Sequence, residues 1–101
     1  MVENHKSIKW DKDATNGLKA AISYIRKASH QNSEKVRKDI LVKIKSLKNH
    51  PEKYHPDKNK LINDGSYRAF EIHSYRIVYR VLETEIKIIT IRHASMEPLP
   101  Y

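Results

Sequence analysis

Tyr67-Arg68-Ala69-Phe70-Glu71-Ile72-His73-Ser74-Tyr75-Arg76-Ile77-Val78-Tyr79-Arg80-Val81 decides the fold. Apolar residues alternate with polar ones through most of it, and a short polar break falls at His73-Ser74. That pattern predicts two β-strands joined by a tight turn. Its arginines are the unusual feature, because a guanidinium buried without a partner is costly. Arg68, Arg76 and Arg80 stand beside Tyr67, Tyr75 and Tyr79, so some of these side chains are expected on an open sheet face. Cations interleaved with aromatic rings suit a phosphate backbone and stacked bases. A solvated strand face made of long polar side chains is the plainer alternative.

Working outward, Ile86 to Arg92 is a near-continuous apolar run, as in a strand covered on both faces. Its link to the preceding strand, at Glu83-Thr84, is also short. The strands from Tyr67 onward therefore read as an antiparallel meander, although neither turn carries the favoured Asn-Gly pair. Upstream, the repeat changes to that of a helix. Val36, Ile40, Ile44 and Leu47 form one apolar stripe, with Asn32 or Ser33 as expected cap and an end before Pro51. Lys35, Arg37, Lys38, Lys43, Lys45 and Lys48 cover the rest of that helix. Ala14, Leu18, Ala21, Ile22 and Ile25 form a second stripe on an earlier helix, capped by Asp11 or Asp13. Asn16-Gly17 is its weak point, since glycine disfavours a helix interior by about 1 kcal/mol. Ser7 to Trp10 is a short first strand, and His50 to Asp64, broken by Pro51 and Pro56, reads as a polar loop.

The expectation is a single α+β domain over residues 1–101, ordered β-α-α-β-β-β. A helical hairpin packs on one face of a small antiparallel sheet and leaves the other face free. Ile22, Ile25, Ile40, Ile44, Tyr79 and Ile89 are the expected core.

Composition bounds the function. The chain has 101 residues, 20 Lys+Arg against 12 Asp+Glu, and a formal net charge of +8. The pI near 9.7 favours an anionic partner, either nucleic acid or an acidic protein. Cysteine is absent, so a reducing cytoplasm is the natural compartment. No apolar run reaches the length of a membrane span, and no secretory signal is visible at Met1 to Ser7. The six histidines show no zinc spacing and there is no glycine-rich phosphate loop, so neither a metal nor a nucleotide cofactor is expected.

The element order, the stretch Tyr75-Arg76-Ile77-Val78-Tyr79-Arg80-Val81 and the ending Arg92-His93 … Glu97-Pro98 … Tyr101 resemble the RelE/ParE superfamily of bacterial type II toxins. The resemblance runs from Ile8-Lys9-Trp10 to the C-terminus. It implies a small basic toxin neutralised by a cognate acidic antitoxin. It also implies one of two activities: RelE-like members cut mRNA in the ribosomal A site, and ParE-like members poison DNA gyrase without nuclease chemistry. Message cleavage, as an mRNA interferase, is the first expectation and gyrase poisoning the close alternative.

In the cleavage branch the resemblance implies that Arg76 contacts the scissile phosphate and faces solvent in the free toxin. Tyr101 would stack on a base or move a proton, and His93 would act as acid or base. Arg68, Arg80, Lys58 and Lys60 are the further candidate RNA contacts. Two departures weaken that branch. Tyr67, Arg68 and Ala69 stand where RelE has a lysine pair, and Ala94, Ser95 and Met96 where it has an arginine cluster. A rival lies in Tyr54-His55-Pro56-Asp57-Lys58-Asn59, which looks like the His-Pro-Asp loop of J-domain co-chaperones. A J-domain needs a helix after that loop, and here strand alternation follows.

Overall fold

The alternation after Tyr67 produces the expected meander. In the computed structural model, which describes residues 6–96, β1 (Ser7–Trp10) is followed by α1 (Lys12–Arg26) and α2 (His30–Ser46). The strands β2 (Tyr67–Ile72), β3 (Tyr75–Val81) and β4 (Glu85–His93) complete the order. The sheet runs β1-β4-β3-β2, with β2–β3 and β3–β4 antiparallel. β1 pairs with β4 in parallel, Ile8 opposite Ile86 and Trp10 opposite Ile88, so the sheet is mixed rather than antiparallel throughout. A parallel pair needs a long crossover, which the helical hairpin supplies.

β4 carries one extra residue against β3. Val78 faces Thr90 and Tyr79 faces Ile88, which leaves Ile89 outside the pairing. This bulge resets which side chains point inward. Ile86, Ile88 and Ile91 are fully buried, whereas Ile89, an expected core residue, is only half-buried. Ile22, Ile40, Ile44 and Tyr79 are core residues as expected, and Ile25 packs at the margin.

The helices pack on one face of the sheet, and local chemistry fixes their ends. α2 begins earlier than Asn32: Ser29 is its cap and accepts the Asn32 N–H at 3.0 Å. Ser33, an expected cap, lies buried inside the first turn and donates to the His30 carbonyl at 2.6 Å. In α1 the glycine marked as weak has a packing reason. A Cβ at position 17 would lie 2.2 Å from the Ile91 carbonyl oxygen, so only glycine lets the helix lie this close to β4.

The β2–β3 turn places His73 at φ 52° and Ser74 at φ 68°, the left-handed region that favours glycine and asparagine. His73 Nε2 lies 2.7 Å from Asp39 Oδ2 and so ties the turn to α2. That hydrogen bond, and then Lys35, holds the Asp39 carboxyl below the usual carboxylate range. Ser74→Gly is expected to stabilise the fold by about 1 kcal/mol, since it relieves left-handed strain at no loss of a contact to α2. Urea unfolding measures it, and a destabilised variant would contradict the strain argument.

Residues 47–66 form an ordered flap rather than a merely solvated loop. The Tyr79 hydroxyl donates to the Pro51 carbonyl at 2.8 Å, and burial pushes its pKa up to about 12. Tyr54 stacks on Phe70 at 4.5 Å between ring centres. Asn63 Nδ2 donates to the Tyr67 carbonyl at 2.9 Å. The flap leads directly into β2, not into a helix, so the J-domain alternative fails on fold.

Candidate functional site

Register sorts the arginines onto two faces. Arg68 pairs with Tyr79, and Phe70 with Ile77, on the face that meets the helices. Arg76 pairs with Glu71 and Arg92, and Arg80 with Tyr67, on the opposite face. The face opposite the helices therefore carries Arg76, Arg80 and Arg92, together with Tyr67.

Each candidate then has a definite environment. Arg68 is a fastener: its Nη1 donates to the Tyr54 carbonyl at 2.6 Å and holds the flap down. Arg80 lies 4.7 Å from the Tyr67 ring centre and donates through Nε to Ser66 Oγ at 3.1 Å. Lys60 Nζ lies 4.9 Å from the same ring. Two cations thus already sit on Tyr67, which leaves that ring poorly placed to stack on a base. Lys58 is exposed. Tyr101 lies outside the described residues.

Arg76 differs most from its expected state. Its guanidinium forms an ion pair with Asp57, whose side chain is 0% exposed against 20% for that of Arg76. The Asp57 carboxylate also accepts the Asn59 N–H at 3.0 Å. Arg76 therefore does not face solvent as a free cation, because a buried carboxylate from the flap holds it. Asp57 belongs to the His-Pro-Asp sequence, which here is a structural clasp. Its burial could not be read from a polar stretch between two prolines.

His93 is held locally. Its Nδ1 accepts the Ser95 N–H at 3.1 Å and lies 2.7 Å from Ser95 Oγ, while the ring meets Tyr75 edge-on at 5.2 Å. A backbone donor on Nδ1 places the proton of the neutral ring on Nε2. Arg92, not among the sequence candidates, stands directly across from Arg76, and its Nε is buried without a hydrogen-bond partner. The bulge at Ile89 hid it, because strict alternation from Ile86 would have sent its side chain to the helix face.

Arg76, Arg92, His93 and Lys58 line one groove of about 550 Å³, with Asp57 in its wall. A second groove of about 830 Å³ runs between α1 and the end of β4, where Tyr24 is 71% and Met96 54% exposed. Among the described residues, no group of three or more His, Cys, Asp or Glu could hold a metal ion. No helix among them is long and apolar enough to cross a membrane.

The family model described as the ParE toxin of the type II toxin–antitoxin system, parDE, matches residues 8–98. The chain belongs to the ParE toxin family. Two solved structures share its fold. One, titled the chromosomal ParDE toxin–antitoxin system from P. aeruginosa, has a TM-score of 0.71 and 20% identity, covering 91% of this chain and 99% of that one. The YoeB dimer from Staphylococcus aureus has a TM-score of 0.62 and 24% identity, over 87% of this chain and 95% of that one. No curated protein sequence matches the chain. The protein is thus a type II toxin of the RelE/ParE superfamily, with an antitoxin as its partner.

Proposed function

We propose that this ParE-family toxin arrests growth by poisoning DNA gyrase and does not cut message. The observation that carries the reading is the Arg76–Asp57 pair. Metal-free RNA cleavage needs a cation free to meet the charge that builds on the phosphate. In this chain the strand arginine at that position is neutralised by a buried carboxylate. Arg68 is occupied with the flap, and the lysine pair of the cleaving relatives has no counterpart. The basic surface, +8 overall, suits an acidic antitoxin that steers in by charge and covers it.

Induction of the toxin, with DNA breaks and cut message scored in the same cells, separates the branches. The expected result is growth arrest with gyrase-linked DNA breaks and intact message by primer extension. Message cut on the ribosome, without DNA breaks, would return the chain to the cleaving branch, with His93 and Arg92 as the groups to test first.

A further inference from the structure

We propose that the groove on the open sheet face is a phosphodiester site whose anion position is held by the chain's own Asp57. In this arrangement the flap competes with single-stranded nucleic acid for the same cations. The inference rests on the same ion pair as the proposed function but not on the identity of the toxin's target.

Four observations converge on it. Arg76 and Arg92 face each other across the β3–β4 pair, and like charges directly opposite destabilise a sheet unless an anion lies close. Asp57 supplies that anion to Arg76. Arg92 Nε, in contrast, is buried with no acceptor, a state that a phosphate oxygen would relieve. Lys58, Asn59 and Thr90 add donors to the same walls, and Val78 and Ile89 give an apolar surface for a sugar or base. The volume, about 550 Å³, suits a nucleotide-sized ligand.

The division of labour is what makes Asp57 a competitor and not merely one half of a staple. Both arginines stand on paired strands, so their positions are fixed by the sheet. The carboxylate stands on the flap, so it can be displaced while the cations stay in place. Carboxylate and phosphate oxygens present similar geometry to a guanidinium fork, which allows one to substitute for the other. In the resting protein Arg92 and Lys58 alone are available to a strand, and binding is weak. Removing the charge of Asp57 releases Arg76 to join them.

Asp57→Asn keeps the size of the side chain and removes its charge. Fluorescence anisotropy with a short labelled single-stranded RNA and its DNA counterpart tests the idea on the full chain. The variant is expected to bind about 10- to 100-fold tighter than wild type, the range for one hydrogen bond to a charged group. Adding Arg92→Ala to it should remove the gain. Equal gains for RNA and DNA mean that phosphate alone is read, and a gain for one of them identifies which sugar the groove accepts; both support the site. A variant with wild-type circular dichroism and no gain overturns it, as does a gain that survives Arg92→Ala. Should Asp57→Asn not fold, NMR of the wild type decides. Inorganic pyrophosphate should shift the Arg92 Nε–H signal and leave that of Arg76 in place. Movement of Arg76 instead, or of neither, refutes the proposal. Either failure leaves the gyrase reading standing.

Discussion

Arg76→Ala lowers the stability of the fold by about 3–5 kcal/mol, the usual effect of removing one partner from a buried ion pair. The reason lies with the partner left behind. The Asp57 side chain is 0% exposed, so without Arg76 its charge has neither water nor a counter-ion of the same geometry. Adding Asp57→Asn to Arg76→Ala should recover a large part of the loss, because the stranded charge disappears. Urea unfolding of the two variants at neutral pH measures both effects. A loss below about 1 kcal/mol for Arg76→Ala would mean that the pair behaves as an exposed surface bridge. The sequence suggested that this substitution would leave folding intact. With the pair in place, loss of toxicity in Arg76→Ala reports stability before it reports chemistry.

Gly17→Ala is the second large effect, and its sign runs against helix propensity. In an exposed helix, alanine in place of glycine gains about 1 kcal/mol. Here the added Cβ would sit 2.2 Å from the Ile91 carbonyl oxygen, a backbone atom fixed in the central part of the sheet. α1 must lift from β4 to admit it, which loosens Ala14, Ala21 and Ile22 in the core. The expected net loss is about 2–3 kcal/mol, typical of overpacking. Asn16→Ala, one position away on the exposed surface, should gain a few tenths of a kcal/mol, about the difference in propensity. A pair of thermal melts suffices. If both variants gain stability, α1 does not lie against β4 as described.

Much of the fold was legible because periodicity records burial. The stripes of α1 and α2 and the alternation of β2 and β3 each name the face that packs. What escaped is what periodicity does not encode. A four-residue strand says nothing of its direction, so the parallel pairing of β1 was invisible. An unbroken apolar run cannot show a bulge, so Ile89 was assigned inward and the orientation of Arg92 went unseen. Ser29 was missed as a cap because Asn32 and Ser33 offered equally good side chains nearby. The site was harder still. Residue types identified Arg76 and His93 as capable groups, but their state depends on partners. Asp57 and Arg76 are 19 residues apart in the chain, and no local pattern connects them.

The flap has one more consequence, which concerns how free toxin behaves when its antitoxin is gone. β2 is a terminal strand of the sheet, and such a margin offers unpaired amides and carbonyls to any passing chain. Here the protein has already engaged them with its own backbone. The Asp57 N–H donates to the Tyr67 carbonyl at 2.7 Å, the Ala69 N–H donates to the His55 carbonyl at 3.3 Å, and Pro56 bridges Arg68. A second molecule finds few ladder positions left along that half of the strand, and a proline guards the approach. The opposite margin, β1, is only four residues long and exposes Lys9. The liberated toxin is therefore protected against edge-to-edge fibre growth while it searches for its target.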